Sequence, residues 1–402
     1  MKIDLYGPAS FSAGHPFEQY RWLRENDPVH RHAEPGGPGF WALTRHAEVW
    51  ETDRNWNVFS SEGTIAIRDP DPAEAAMFGD HKMMLMMDPP QHTLYRRLLR
   101  ETFQPGPSAA MAPWMARLAT AIVDAVIERG ECDFVSEVAG EMPSLVIAEL
   151  MGLPAQDGRE LYHLTETIHT APEALPPGAQ AEAMMRMFDY GRGVIAEKRA
   201  RPGDDLATKL LNAEVDGKRL DDIDFLLFFL LLIDAGGDTT RNLLSAGLIA
   251  LIDNPDQHAW LMADLDARLP AAQEELLRWC SPVVYMRRTA KIDTQIAGTP
   301  ISAGDKVVLY FGSANRDPAR FPEPDRLDLG RTPNDHLAFG AGPHVCLGQH
   351  VARVEIAAVL REVLTRMQAI ELDGPPEWLA SSFIAGPRRM PVRFRPGPRT
   401  TA

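Results

Sequence analysis

One cysteine of this chain lies in a segment whose residue types favour metal binding. Residues 339–348 read Phe-Gly-Ala-Gly-Pro-His-Val-Cys-Leu-Gly, and helical spacing follows from Cys346 onward. A cysteine at the start of a helix faces free N–H groups and the positive end of the helix dipole, which favour the metal-binding thiolate. Taken alone, however, a single cysteine is more often a buried structural residue. Residues that would allow close approach to a flat cofactor, or cover it, are Phe339, Gly340, Gly342 and Gly348.

A second chemically unusual segment lies within a long apolar stretch. Residues 235–240 read Ala-Gly-Gly-Asp-Thr-Thr, between the acids at 221–224 and Pro255. Each glycine costs a helix about 1 kcal/mol relative to alanine, and a buried aspartate adds a desolvation cost. We therefore expect a gap in the helix, with the Thr239 hydroxyl bonded to a carbonyl one turn earlier. A small diatomic ligand could lie in such a groove, and a packing kink is the equally open alternative.

Both segments resemble signatures of the cytochrome P450 family. The first matches the haem-ligating pattern Phe-x-x-Gly-x-x-x-Cys-x-Gly, and the second matches the oxygen-binding pattern Ala/Gly-Gly-x-Asp/Glu-Thr-Thr. The resemblance implies that Cys346 is the axial ligand of haem b and that Asp238 and Thr239 deliver protons to bound dioxygen. It assigns Thr240 a structural role. The residues it places against the cofactor are Phe339, Gly342, Gly348 and Ala235.

Charged residues at other family positions would hold the cofactor in place. His92 and Arg96 are one helical turn apart and share a face, so both could donate to the haem carboxylates. Arg288 and His344 match the remaining carboxylate partners, and Arg287 is the alternative to Arg288. The resemblance also implies a network that braces the cysteine loop, although a surface ion pair is the simpler interpretation of its first two members. The network consists of Glu275, Arg278 and Arg326.

Apolar residues next to these motifs are candidates for a substrate pocket. An apolar pocket with few polar anchors would suit a bulky hydrophobic ligand. Core packing is the stronger interpretation for the methionines that precede Asp88. The candidates are Met84, Phe229, Ile233, Val283, Val284, Tyr285, Phe383 and Ile384.

The elements that must position these residues are mostly helices. Apolar residues recur with helical spacing from Trp114 to Val126, and acids open a long helix that Pro255 ends. Alternation and turn residues predict β-rich regions near 38–60 and 290–312. We therefore predict a mainly α fold with a small β region, in one domain spanning 1–402 with the haem loop at 339–348. The resemblance implies the single triangular P450 fold.

Composition narrows the class of protein further. The 402 residues are 45% hydrophobic with a net charge of −15, which excludes a disordered chain and disfavours a nucleic-acid binder. Three widely spaced cysteines predict no disulfide framework and fit a cytoplasmic location. The longest apolar run, 225–233, is about half of the roughly 18 residues that a membrane span needs. We expect no signal peptide and no membrane partner.

The resemblance implies a haem-thiolate monooxygenase. Such an enzyme would insert one oxygen atom of O2 into a C–H bond of a sterol, terpenoid, fatty acyl or polyketide molecule. The chain has no dinucleotide fingerprint, so a ferredoxin and its reductase would supply electrons, with docking near Arg96, Arg97 and Arg100. The alternatives are oxidative coupling, desaturation or C–C cleavage in a biosynthetic pathway, and a non-catalytic haem sensor or electron carrier.

Overall fold

The computed structural model of the chain describes residues 1–70, 76 and 78–400, and these are mainly helical, as predicted. The described α-helices are Phe17–Asn26, His46–Arg54, Gln91–Phe103, Pro105–Ala110, Ala112–Val126, Glu141–Met151, Ala155–His169, Ala179–Ala200, Leu206–Leu211, Asp222–Asp253, Pro255–Met262, Leu265–Cys280, Phe311–Ala314 and Gln349–Arg366. Shorter 3₁₀ segments are Pro8–Phe11, Met84–Met86, Pro172–Ala174 and Gly342–His344, with a π-helical segment at Val135–Ala139.

The described strands are short and widely separated in sequence. They are β1 (Val29–His32), β2 (Phe40–Leu43), β3 (Phe59–Ser60), β4 (Glu131–Asp133), β5 (Glu214–Val215), β6 (Lys218–Arg219), β7 (Tyr285–Ala290), β8 (Thr294–Ile296), β9 (Thr299–Ile301), β10 (Lys306–Tyr310), β11 (Glu371–Leu372), β12 (Glu377–Trp378), β13 (Pro387–Arg389) and β14 (Pro391–Arg393). The largest sheet has the order β1-β2-β10-β7-β3, and only the β2–β10 pair in it is parallel.

The central strand of this sheet is buried on both faces. Val307 and Leu309 of β10 pack into one small hydrophobic core, whereas Val308 and Tyr310 pack into another on the opposite face. This division follows from the alternation of side chains along a strand. Because the sheet joins residues near the N-terminus to residues near 300, and β4 pairs with β14, we propose that 1–402 is a single domain.

The two regions expected to be β-rich differ in content. Region 290–312 contributes β8, β9 and β10, but the β structure begins earlier, at Tyr285 of β7. Region 38–60 contributes β2 and β3, with the helix His46–Arg54 between them. That helix buries Val49, Thr52 and Asp53, a three-to-four-residue spacing that belongs to a helix face rather than to a strand.

The helix Asp222–Asp253, called the long helix below, begins and ends where predicted. Asp221 caps it, and the Asp221 and Asp224 side chains form a reciprocal capping box. Pro255 starts the next helix at its first position, where a missing N–H is harmless. The helix is continuous through residues 235–240, so the expected gap does not occur as a break in helical structure.

Within the described part of the chain, no single helix has the length and hydropathy of a membrane span. Two bent pairs reach those values only in combination: Gln91–Ala110 with Ala112–Val126, and Val135–Met151 with Ala155–His169.

Candidate active site

The cysteine loop has the predicted position at the start of a helix. The backbone N–H of Cys346 donates to the Phe339 carbonyl at 2.8 Å, and the helix Gln349–Arg366 begins three residues later. Burial raises the pKa of the Cys346 thiol, and nearby N–H groups and guanidiniums oppose it without reversing it. The N–H groups at the helix start thus act in the expected direction, but burial outweighs them. A bound metal ion would supply the missing positive charge, as metal-bound thiols are deprotonated.

Glycines and an aromatic ring shape this loop as expected. Gly340 and Gly342 have φ angles of +69° and +65°, which other residues rarely adopt. A Cβ on Gly342 would lie 2.8 Å from the Arg54 Cα atom, so the loop sits directly against the helix His46–Arg54. A Cβ on Gly348 would meet no atom within 4 Å. The Phe339 ring is half-buried beneath the guanidinium of Arg353, 4.6 Å from the ring centroid.

The four predicted carboxylate partners lie together. The rings of His92 and His344 have centroids 4.0 Å apart. Burial and the nearby guanidiniums of Arg96 and Arg288 lower the pKa of His92 to about 4. The pKa of His344 is lowered to about 2 by burial and by the nearby Arg288, His92 and Arg96. Among the described residues, Nδ1 of His92 and Nε2 of His344 are buried without a hydrogen-bond partner. Two unpaired ring nitrogens beside two cations suit an acidic ligand, and the carboxylates of haem fit this requirement.

Strand alternation decides which of two adjacent arginines belongs to this group. Arg288 donates from Nη2 to Oδ1 of Asp53 at 2.6 Å, whereas Arg287 contacts Asp69 and the carbonyls of residues 66 and 67. Successive side chains of β7 point to opposite faces, so only Arg288 faces the cysteine loop. Arg287 is therefore not the alternative. Oδ2 of Asp53 accepts from the Ala341 N–H at 2.7 Å, a link that nothing in the sequence around Asp53 indicated.

Arg96 reaches the cysteine loop from the other side. Its Nη2 atom donates to the Val345 carbonyl at 2.6 Å. Arg96 also lines a cavity of about 400 Å³ that contains Cys346 and the two other arginines of the same helix, Arg97 and Arg100. Arg97 and Arg100 are exposed. This side of the cysteine is therefore open and basic in an otherwise acidic protein.

The bracing network forms, but with one arginine different from the prediction. Arg278 makes two 2.7 Å hydrogen bonds to Glu275, and both side chains are fully buried. The third member is Arg331, whose Nε lies 3.1 Å from Oε2 of Glu275. The side chain of Arg326 is 61% exposed and pairs with Glu323, so Arg326 meets the network only through its carbonyl, which accepts from Arg278 and Arg331. Both arginines lie in the same irregular loop, where spacing cannot indicate which one turns inward.

The acid–threonine pair lies on the long helix. The Thr239 hydroxyl donates to the Ala235 carbonyl at 3.1 Å, which confirms the predicted bond to the preceding turn. Ala235 is exposed although most of the helix is buried, so this turn faces accessible space. Asp238 is fully buried, and burial raises the pKa of its carboxyl group. Thr240 is bonded to the buried Glu355, whose pKa burial raises to about 8.

Two residues that the motif context did not indicate hold Asp238. His169 lies 2.6 Å from its Oδ2 atom, and Arg241 lies 3.4 Å from Oδ1. Arg241 follows the threonines by less than one turn, so its position on the same helix was a readable signal. His169 comes from another helix, and nothing in the sequence around it indicated a contact with Asp238.

Most of the predicted pocket residues are buried. Phe229 and Val284 have no exposed surface, so in this structure neither can contact a ligand. Phe229 packs instead against Phe225 and Tyr190 in the main core. Val283 and Phe383 are half-buried, and Val283 pairs with Ile384 in an antiparallel bridge. The remaining candidates are less than one-tenth exposed: Met84, Ile233, Tyr285 and Ile384.

Known proteins match the chain over nearly its whole length. The family model for Cytochrome P450 matches residues 178–383. The steroid C26-monooxygenase of Mycolicibacterium smegmatis is 37% identical over 400 residues, covering 98% of this chain and 96% of that protein. A methyl-branched lipid omega-hydroxylase of Mycobacterium tuberculosis is 38% identical over 365 residues, covering 89% of this chain and 85% of that protein.

A solved structure agrees with these relatives. Mycobacterium marinum cytochrome P450 CYP268A2, in complex with pseudoionone, has a TM-score of 0.91 at 38% identity, covering 98% of this chain and 99% of that one. The mainly α fold with a small β region is thus the P450 fold. The relatives are monooxygenases, and the family's cofactor is haem b bound through a cysteine thiolate. The chain therefore belongs to the cytochrome P450 family of haem-thiolate monooxygenases.

Proposed function

We propose that this monooxygenase inserts one oxygen atom of O2 into a C–H bond of a bulky hydrophobic molecule of the sterol, terpenoid, fatty acyl or polyketide type. The names of similar proteins support this range. They include a steroid C26-monooxygenase, a methyl-branched lipid omega-hydroxylase and a structure in complex with pseudoionone. Steroid and branched-lipid hydroxylation both act on large apolar molecules with few polar groups, so we place those two classes first.

Haem, when bound, supplies the redox chemistry of O2 activation, and the protein supplies orientation and protons. Cys346 would ligate the iron, with His92, Arg96, Arg288 and His344 at the carboxylates. Asp238 and Thr239 would relay protons. The observation that carries this proposal is the turn of the long helix at Ala235, Asp238 and Thr239: a hydroxyl beside accessible space follows a fully buried carboxyl group.

Electrons would come from a ferredoxin and its reductase. The exposed arginines of the helix Gln91–Phe103 border the cavity that contains Cys346. An acidic ferredoxin docked there would bring its cluster close to the thiolate, and opposite charges would speed the encounter. We also propose a cytoplasmic location, which the free state of all three cysteines supports.

A substrate screen followed by reconstitution tests the proposal. The purified haem protein is titrated with cholest-4-en-3-one, a methyl-branched fatty acid, a linear fatty acid, a terpenoid ketone and a macrolide, and the haem absorption spectrum reports binding. Ligands that shift the spectrum are then incubated with NADH and a surrogate ferredoxin and reductase. We expect a hydroxylated product carrying one atom of labelled O2 from a steroid or branched lipid. Binding without any oxidised product would contradict the proposal, and a dimer, alkene or cleaved product would support the alternative reactions.

A further inference from the structure

His169, the last residue of the helix Ala155–His169, lies between two carboxylates of the long helix. Its Nδ1 atom is 2.6 Å from Oδ2 of Asp238, and its Nε2 atom is 3.2 Å from Oδ1 of Asp234. Asp234 and Asp238 are one helical turn apart and share a face. The contact with Asp238 is a hydrogen bond, whereas the contact with Asp234 is an ion-pair distance without hydrogen-bond geometry, and both carboxylates attract a protonated imidazole. Two facing carboxylates therefore select the cationic form of His169.

Exposure decreases along these three side chains. The exposed fraction is 27% for Asp234, 11% for His169 and 0% for Asp238. A fully buried carboxylate is costly unless a cation or donors stabilise it. His169 provides such a cation to Asp238, and the more accessible Asp234 balances its second ring nitrogen. His169 therefore stabilises the Asp238 carboxylate next to Thr239, where burial would otherwise favour the neutral acid.

Other charged groups around His169 do not replace it. Arg241 lies 3.4 Å from Oδ1 of Asp238 but also 3.2 Å from Oε2 of Glu166, so two acids share this guanidinium. Arg388 and Asp133 act on Glu166 from neighbouring strands, with opposite effects on its pKa, which burial raises to about 7. The apolar ring of Phe383 covers the histidine, with ring centroids 5.9 Å apart.

The balance of charges favours a charged pair. Burial acts to lower the pKa of His169, but Asp234 and Asp238 outweigh it and hold that pKa well above its ordinary value. Burial acts to raise the pKa of Asp238, and His169 opposes this increase. Loss of the imidazolium would therefore let the pKa of Asp238 rise further.

We propose that His169 is a positioning residue of the oxygenation reaction, which holds Asp238 charged and in one orientation beside Thr239. This inference deepens the proposed function and rests on the proton-delivering role of Asp238. It adds a residue from a second helix to the two positions that the motif contains. The ring of Phe383 packs beside His169, and Phe383 precedes Ile384, which bridges to Val283.

The test compares three variants of the haem-loaded protein. His169→Phe removes both donors and keeps a ring beside Phe383, whereas His169→Gln keeps a donor without charge. His163→Phe is the matched control, because His163 is exposed on the same helix. We expect normal haem content and substrate spectra in all three. Product formed per NADH should fall roughly tenfold in His169→Phe. This is less than the ~10²–10⁴-fold that an acid–base group itself contributes, because His169 acts through Asp238. His169→Gln should be intermediate, and the control should match the parent.

The pH profile separates this role from a merely structural one. As the pH rises through the ordinary imidazole value of ~6.5, the parent should keep a constant ratio of product to NADH, because His169 stays protonated above that value. In His169→Phe the ratio should become pH-dependent, since Asp238 has lost the cation that opposes its rising pKa. If His169→Phe loses haem, His169→Gln serves for the same comparison. A parental ratio and a parental pH profile in either variant would overturn the proposal.

A second measurement does not depend on turnover. Protein labelled with ¹³C at the histidine Cε1 position is reduced and saturated with carbon monoxide to make the haem diamagnetic, and the His169 signal is identified by its loss in His169→Phe. We expect the imidazolium shift to persist as the pH rises through the ordinary value of ~6.5, and to be lost below that value when Asp234 and Asp238 are both changed to asparagine, because burial then acts unopposed. A neutral His169 at pH 7 would overturn the inference. If the parent makes no product from any substrate, the proposed function fails while this result still decides the state of His169.

Discussion

At the scale of single residues, Thr239 combines two properties that its neighbours do not share. Its hydroxyl is fixed to the Ala235 carbonyl, and it lies where the long helix faces accessible space. Thr240, the next residue, turns instead to the buried Glu355. Identical side chains in adjacent positions therefore have different surroundings, because consecutive residues of a helix point about 100° apart.

Replacing Thr239 by alanine tests its proposed role in proton delivery. We expect Thr239→Ala to keep haem and substrate binding but to consume NADH with little product, because the hydroxyl that would deliver protons is gone. Thr239→Ser retains the hydroxyl and should recover most of the coupling. The measurement is product and hydrogen peroxide formed per NADH. Full coupling in the alanine variant would remove the assignment.

Arg331 and Arg326 provide a matched pair for the bracing network. Arg278→Ala should leave little haem-loaded protein, since removing one partner of a buried ion pair costs about 3–5 kcal/mol. Arg331→Ala should act in the same direction, because Arg331 contacts the same buried Glu275. Arg326→Ala removes an exposed side chain and should change the free energy of unfolding by no more than about 0.5 kcal/mol. Haem content and urea unfolding measure these effects, and a loss in Arg326→Ala equal to that in Arg331→Ala would contradict the geometry.

At the scale of elements, the cysteine loop is held by parts of the chain that are far away in sequence. The helix His46–Arg54 lies behind it, and Asp53 on that helix binds both Ala341 and Arg288 of β7. The position of the loop therefore depends on its contacts with this helix and with β7. Its shape is set by packing as well as by its glycines.

Gly342→Ala tests this junction against the cost of backbone conformation alone. A Cβ at residue 342 would lie 2.8 Å from the Arg54 Cα atom and 2.9 Å from the Asp53 carbonyl oxygen. We expect the loop to shift and haem to be lost or its spectrum altered. Gly304→Ala is the control, because Gly304 has φ +88° with no atom within 4 Å of the added Cβ. It should cost about 1–2 kcal/mol of stability and keep the haem spectrum. Equal effects in both variants would show that only φ matters.

At the scale of the whole molecule, charge is unevenly distributed. The net charge is −15, yet Arg97 and Arg100 are exposed beside the cavity that contains Cys346. Such a local basic face can attract an acidic protein although the molecule as a whole repels it, because screening limits long-range charge interactions to about 8–10 Å in physiological salt.

Electron transfer should therefore depend on ionic strength. We expect the rate of reduction by an acidic ferredoxin to fall as salt rises, and to fall further in Arg97→Glu and Arg100→Glu. Arg192→Glu reverses an exposed charge on another helix, Ala179–Ala200, and should leave the rate near that of the parent. Stopped-flow reduction of the CO-saturated protein gives these rates. A rate that is unaffected by salt and by either reversal would argue against docking at this face.

Much of the site could be predicted because its members are close in sequence. The cysteine loop, the pair Asp238–Thr239 and the pair Glu275–Arg278 each lie within about one helical turn or one loop. Regular geometry then fixes which side chains meet. Helix ends marked by Asp221 and Pro255 were equally readable, since capping and proline effects act locally.

Sequence spacing predicted contacts less well where two residues could fill one position, or where a helix could present either face to the site. Arg326 and Arg331 lie in one irregular loop, and only the packed chain shows which of them reaches Glu275. Phe229 is next to the oxygen motif in sequence, but its side of the helix faces the core. An apolar residue on a helix that is buried nearly all round carries no signal of which neighbour it meets.

The amino-acid sequence by itself determined the family and the mainly helical fold, because these depend on short motifs and on periodicity. Only the tertiary structure decided that Asp53 joins Arg288 to the cysteine loop and that His169 holds Asp238. These partners come from elements that are distant along the chain. Their meeting depends on how helices and strands pack, and local spacing cannot encode that.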